Sequence, residues 1–410
     1  MPVPPADFPQ VAPPADLTFV EALAAVRELA PKILEQAPET EARTYYSEEL
    51  HLDFMRAGLY NMLRPRTFGG YEFSFEDYLK IIRELARADM STAWCFCLAS
   101  AHVLWMASWW SDEAQRDFFA TPHTAASGTS APGGTMRKVD GGWIVNGVFP
   151  YASGGPYATH FLGHVFPISE NGEQGRLTAF IAPRSIWNVR DDWGNTLGLR
   201  GSGSHTVEIS GGFIPDSHVL EGRAITDMEV GSGTPGFALH RNPMYNGRCL
   251  STFTLELATL GVGGALGALD TYEGLITTKR TALPPITLRS ENPTYQLWYA
   301  DAVTQLEAAE ALLDAAARKY LDLATRAAKG NGSFSFLDDV GVGRLAFAGQ
   351  QTAWRVLEGI LMKASGSGVM VNGSRMERIW RDFSMLHSHQ NTIVQDITAP
   401  AYAAGLLTTP

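Results

Sequence analysis

The chain has 410 residues, 45% of them apolar and 18% charged, which is enough material for one large core or several smaller ones. A formal charge of −11 and no long run of Lys or Arg argue against nucleic acid or a membrane surface as partner, leaving a small molecule as the expected ligand. Cys95, Cys97 and Cys249 are too few for a disulfide framework, and Cys-Phe-Cys is neither a zinc nor a redox spacing, so no metal site and a reducing cytoplasm are expected.

The opening MPVPPADFPQVAPPAD, 1–16, lacks the basic start and apolar stretch of a signal peptide, and its prolines read as a flexible lead-in. LTFVEALAAVRELAPKILEQ (17–36), EELHLDFMRAGLYNML and SFEDYLKIIRELARAD then carry apolar side chains at helical spacing, predicting a helical domain over 17–123. Within it WCFCLASAHVLWMASWW, 94–110, is too short and too polar at Ser100, His102 and Ser108 for a membrane span, and reads as a helix buried on most faces.

From 124 the texture changes. GTMRKVDGGWIVNGVF, ATHFLGHVFPI, RLTAFIAP and HTVEISGGFI alternate β-branched and aromatic residues with turn formers, predicting a β domain over 124–222. Helical periodicity returns in 223–410, with long pieces at 293–328 and 336–364 joined by the turn KGNGS. GVGGALG, 261–267, neither follows a strand nor opens a helix, so it is not a dinucleotide loop; its glycines suit close helix packing, and the chain is not expected to bind NAD(P)H itself.

Four patches resemble the acyl-CoA dehydrogenase superfamily: RPRTFGGYEFSFEDYLKIIRELARADMSTA (64–93), VDGGWIVNGVFPYASGG (139–155), WGNTLGLRGSGSHTVEISGGFIPDSHVL (193–220) and RIWRDFSML (378–386). The resemblance implies an α+β fold with an N-terminal helical domain, a central β-barrel-like domain and a C-terminal four-helix bundle. It also implies a flavin. Small residues and hydroxyls in AASGTS and YASGG suit the acceptor-rich edge of an isoalloxazine, which nominates Thr129, Ser130, Ser153 and Gly154. Arg200, Ser202 and Ser204 of LRGSGS would lie along it. Arg280, Gln351, and Ser365, Gly366 and Ser367 of SGSG stand where the family completes the pocket from a neighbouring subunit, implying a homotetramer built as a dimer of dimers; Leu283 and Pro284 replace the Phe-Gly that usually follows Arg280.

The dehydrogenases carry their base in Tyr-Glu-Gly-Thr, which from Arg381-Asp382 falls on His389-Gln390-Asn391-Thr392, without a carboxylate. Glu256 lies near a second known base position and reads as a structural residue. Phe149 replaces the usual hairpin lysine, and Pro-Tyr-Ala-Ser-Gly follows. This resembles the flavin-dependent monooxygenase branch of the fold, the oxygenase components of two-component systems. The implied chemistry is oxygenation of a small substrate, expected to be aromatic, by reduced FMN or FAD and O2 through a flavin C4a-hydroperoxide, with the reduced flavin coming from a separate NAD(P)H-dependent reductase. Competing readings are an acyl-CoA dehydrogenase-type enzyme and an N- or S-oxygenating member of the fold.

On this reading His389 is the expected proton-handling group, an ordinary pKa near 6.5 letting it accept and return a proton around neutrality. Ser153 would donate at flavin N5. His102 is a third catalytic candidate, sharing a helix face with Trp105, which would lie against the flavin, and with Trp109 on the substrate side. His387, two residues from His389 and so on the opposite side of any continuous helix, and Gln390 are assigned to the substrate side.

Overall fold

The computed structural model describes residues 11–408; most of the proline-rich lead-in, 1–10, lies outside the described residues. α1 (Phe19–Arg43) opens on a capping box in which Thr18 and Glu21 satisfy each other's backbone N–H groups, and it continues through Pro31 and Pro38, past the point where its periodicity fades. α2 (Glu48–Arg56) is capped by Ser47, and α3 (Phe75–Ala88) by Ser74, whose hydroxyl accepts the Asp77 N–H. Asp89 ends α3 and caps α4 (Met90–Trp109), every residue of which is buried. α5 (Asp112–Phe118) closes the helical layer.

The sheet follows: β1 (Ala126–Val139), β2 (Gly142–Phe149), β3 (His160–Pro167), β4 (Thr178–Pro183), β5 (Asn188–Val189), β6 (Val207–Pro215) and β7 (Val219–Leu220). Asp140 and Gly141 close the β1–β2 hairpin, with Gly141 at φ 71° supplying the left-handed turn. The strand order is β5-β6-β2-β1-β3-β4-β7, with β1 and β3 parallel and the other pairs antiparallel. The central domain is thus a mixed sheet with β5 and β7 at its edges. It keeps its own core, including Trp143, Phe149, Phe161, Phe180 and Trp187.

After α6 (Pro235–His240) comes the bundle: α7 (Leu250–Thr278), α8 (Pro293–Ala328), α9 (Phe336–Val356) running through a π turn into α10 (Met362–Ser365), α11 (Arg375–His387) and α12 (Gln390–Thr408). Pro293 in the first turn and the Asn292 cap fix the start of α8, as Pro and Asn do where backbone N–H groups are unsatisfied anyway. α7 lies close against α3. A Cβ added to Gly263 would sit 2.5 Å from the Arg83 carbonyl oxygen, and one on Gly267 2.4 Å from that of Arg87. α4 and α7 are long and apolar enough to cross a membrane, yet all of the apolar window of α4 and 89% of that of α7 are buried inside the fold.

Candidate active site

α4 runs between the sheet and α7, and one of its stripes opens onto a cavity of about 430 Å³. Trp94, Leu98, His102 and Trp105 form that stripe at spacings of four, four and three, so the wall extends about 16 Å along the helix. At the Trp94 end the indole N–H donates to Ser153 Oγ at 3.0 Å; Ser153 Oγ lies 2.8 Å from Ser204 Oγ, and Ser204 Oγ 2.7 Å from Ser202 Oγ. At the other end Trp105 Nε1 donates to Thr252 Oγ1 at 2.8 Å, tying α4 to α7. Leu162, Ile225, Leu250 and Phe253 make this end largely apolar.

His389 sits between the two ends. Its ring meets Trp94 edge-on at 5.7 Å between centroids and Phe253 at 5.8 Å. α11 stops at His387 and α12 begins at Gln390, so a turn at Ser388 and His389 interrupts what the sequence suggested as one helical segment. The turn frees the Asn391 N–H to donate to His389 Nδ1 at 3.1 Å. With Nδ1 accepting, the proton resides on Nε2, and His389 offers the cavity a donor. His102 has the opposite tautomer. Its Nδ1 lies 2.7 Å from the Ala126 carbonyl oxygen, which can only accept, leaving Nε2 as a bare acceptor.

Burial lowers the pKa of both rings to about 4. This corrects the expectation of a His389 that titrates near neutrality. Its neighbours are aromatic, no carboxylate among the described residues lines the cavity, and desolvation acts without compensation.

Of the sequence-nominated residues, the cavity brings together His102, Trp105, Thr129, Ser130, Ser153, Ser202, Ser204, His389 and Gln390, with Gln390 Nε2 donating to Ser130 Oγ at 3.2 Å. The others lie off it. Gly154, at φ 75°, packs under α4, where a Cβ would come 2.6 Å from the Cys95 carbonyl. Arg200 turns back to donate to the Thr196 carbonyl at 2.7 Å. Trp109 is buried a turn beyond Trp105. His387 stacks on Trp354 at 5.0 Å. Arg280 is exposed and donates to the Ile286 carbonyl; Gln351 is half-buried on α9; Ser365, Gly366 and Ser367 form the turn after α10, where Arg289 caps the Ser365 carbonyl at 3.1 Å.

Sequence reasoning did not single out Trp94, Phe253, Asn391, or the mouth pair Tyr151 and Trp193, whose rings meet edge-on at 5.5 Å. It also treated Asp382 only as an alignment marker. The Asp382 carboxylate accepts the Leu199 N–H at 2.6 Å and the Ser91 hydroxyl at 3.0 Å, clamping the serine-bearing loop to α4 and α11. Burial, with Asp89 nearby, raises its pKa to about 7. Glu256 lies outside the cavity, fully buried, with neither carboxylate oxygen hydrogen-bonded. Among the described residues no cluster of His, Cys, Asp or Glu could hold a metal ion.

This donor set fits a flavin. A slot walled by Trp94 and His389, with three linked hydroxyls at one end, matches a flat ring with an acceptor-rich edge. Comparison with known proteins agrees. Residues 20–126 match the N-terminal domain of acyl-CoA dehydrogenases, and 255–393 match the C-terminal domain. The chain is 30% identical over 309 residues to a pigment production hydroxylase of Rhodococcus sp. (strain ATCC 21145), covering 73% of this chain and 76% of that protein. It is 27% identical to the flavin-dependent monooxygenase oxygenase subunit HsaA of Rhodococcus jostii, covering 86% and 90%. The crystal structure of 3-HSA hydroxylase from Rhodococcus sp. RHA1 superposes with a TM-score of 0.82 at 25% identity, over 95% of this chain and 97% of that one. The chain belongs to the acyl-CoA dehydrogenase-fold family of flavin-dependent monooxygenases, in the branch of their oxygenase components.

Proposed function

We propose that this protein is the oxygenase of a two-component system, taking FMN or FAD in reduced form from a separate NAD(P)H-dependent reductase and using O2 to oxygenate a small aromatic substrate. The observation that carries the reading is the position of His389, a half-buried neutral donor between the hydroxyl-lined end of the cavity at Trp94 and its apolar end at Phe253. A dehydrogenase would need a carboxylate at the reacting carbon, and among the described residues none lines this cavity.

Ser153, Ser202 and Ser204, with the backbone of Thr129 and Ser130, would hold the flavin ring. Bound there in reduced form, the flavin supplies two electrons and activates O2. The protein's part is positional. Ser153 Oγ accepts from Trp94; if Ser202 donates to Ser204 and Ser204 to Ser153, the Ser153 proton is left to point at the ligand. His389 Nε2–H would hydrogen-bond an oxygen atom beside it and keep it from water. Trp105, Leu250 and Phe253 would pack the faces of the substrate ring, and Gln390 would close the mouth against Ser130.

The expected assembly is a cytoplasmic homotetramer. Support comes from the exposed apolar positions Ile393 and Ile397 on α12, directly after His389, and Leu283 and Ile286 beside Arg280. Arg280, Gln351, Arg200, Ser365, Gly366 and Ser367 would then serve the flavin's phosphate side or the subunit contact, Gly154 would let the Ser153 turn sit close under α4, and Trp109 and His387 would brace the substrate wall from behind.

Isotopically labelled dioxygen tests the function. Protein supplied with reduced flavin and a phenolic substrate should place one labelled oxygen atom in the product; product carrying only solvent oxygen would contradict it.

A further inference from the structure

His164 lies on β3 behind the cavity wall, 1% exposed, and its two ring nitrogens reach two separate segments of that wall. Nδ1 is 2.9 Å from the Thr129 carbonyl oxygen, and Nε2 is 3.1 Å from the Ile225 nitrogen. A carbonyl can only accept and a backbone N–H can only donate, so both contacts hold together in one neutral tautomer, protonated on Nδ1. Burial favours that form, lowering the pKa of the ring to about 4.

Regular strand pairing fixes neither segment. In the β1–β3 pair Gly128 stands opposite Leu162 and Pro132 opposite His164, so four steps along β1 match two along β3. Thr129, Ser130 and Ala131 therefore bulge out of the ladder to line the cavity, and Pro132 has no N–H with which to rejoin it. The second segment, 221–234 between β7 and α6, carries Ile225 and Thr226 to the apolar end. This strap joins the sheet at Arg223, whose carbonyl accepts the Ala179 N–H at 2.9 Å, and again at Ile225 through the imidazole. Farther along, Glu229 pairs with Arg248 at 2.8 Å, just ahead of α7.

A planar ring bonded at both nitrogens cannot turn to suit one partner without disturbing the other. Whatever holds the Thr129 carbonyl still also keeps Nε2 aimed at the Ile225 N–H, and ordering one segment lowers the cost of ordering the next.

We propose that His164 is a positioning residue that couples the two ends of the cavity: a flavin seated against the Thr129–Ala131 bulge tightens, through this imidazole, the strap that closes the substrate end. The proposal rests on the flavin reading for what seats there; its test reads backbone exchange and needs no turnover.

The experiment is hydrogen–deuterium exchange on the full chain under nitrogen, without flavin and with saturating reduced FMN or, in parallel, reduced FAD. In the native protein the flavin should slow exchange about fivefold at 129–131 and also at the strap amides 226–230. His164→Gln reaches the Nε2 position, so it should keep the strap's basal protection but lose the flavin's effect on it. His164→Asn occupies the Nδ1 position; it should keep flavin protection at 129–131 while strap exchange rises about fivefold with or without flavin, the worth of one hydrogen bond. Ile225→Pro removes the accepted N–H with the histidine intact, at a position that the extended Ala224 before it suits, and should reproduce His164→Asn. Flavin protection of 129–131 that leaves the native strap unchanged, or strap protection that persists in His164→Gln and Ile225→Pro, would overturn the proposal. Absence of flavin protection at 129–131 would instead count against the flavin reading, and strap exchange in flavin-free His164→Asn would still decide whether the histidine holds it.

Discussion

Trp94 is shared between the two groups on which the site turns: its indole N–H donates to Ser153 Oγ at 3.0 Å while its ring meets the His389 imidazole edge-on. Removing only the N–H isolates the first contact. Trp94→Phe should weaken reduced-flavin binding about five- to tenfold, the worth of a single oriented hydrogen bond, and should increase peroxide released per flavin oxidised. Anaerobic titration and a peroxide assay check both; unchanged values would mean that Ser153 is positioned by Ser204 alone.

The histidines separate by environment. His389→Ala should leave folding and flavin binding nearly intact while cutting coupling, product formed per reduced flavin consumed, by about 10²-fold. His389→Asn keeps a donor and should restore much of that, because the native ring is neutral and acts through its Nε2–H. His387, stacked on Trp354 away from the cavity, should tolerate Ala with little loss of coupling. With the His389 pKa lowered to about 4 by burial, coupling should also show no inflection near pH 6.5. An inflection there that disappears in His389→Asn would show a titrating histidine.

Acid should destabilise the fold steeply. Burial lowers His51 and His160 to about 3 and His102, His123, His164, His240 and His389 to about 4. The unfolded chain binds these protons near pH 6.5 while the folded one refuses them. Their contribution to stability is therefore complete above about pH 6.5 and is lost as pH falls toward 4. Denaturant midpoints across that window should drop with a slope of several protons; a flat profile would contradict the burial.

Glu256 should be a stability cost. Its carboxyl is wholly buried with both oxygens unpartnered, and desolvation holds its pKa well above the ordinary value. A raised pKa favours the protonated form in the fold, so the cost grows as pH rises through and beyond the unfolded carboxyl range. Glu256→Met should stabilise by about 1–3 kcal/mol at pH 8 and by less at pH 5, read from urea unfolding. Loss of stability at pH 8 would show that the carboxylate has a partner.

Several parts of this architecture could be read in the chain because local chemistry announces them: α8 begins where Asn292 and Pro293 say it should, and Asp140-Gly141 closes the hairpin. The site was less legible. α4 is apolar on every side, so periodicity cannot say which stripe meets a cavity; only the spacing back from Trp105 and His102 to Leu98 and Trp94 would have named the tryptophan. The turn at Ser388 carries no Gly or Pro, and so the separation of His387 from His389 looked like opposite faces of a helix. Nor can sequence foresee tautomers or pKa values, which arise from contacts such as Ala126 with His102 and Asn391 with His389.

The central claim, that the chain receives free reduced flavin and controls its reaction with oxygen, is tested most directly by rapid mixing. Protein and reduced FMN or FAD are combined under nitrogen, then mixed with oxygenated buffer while the visible absorbance of oxidised flavin is followed. The account predicts saturable binding of reduced flavin and a delayed return of that absorbance compared with free flavin, the delay shortening in His389→Ala. Reoxidation at the free-flavin rate at every protein concentration would contradict it.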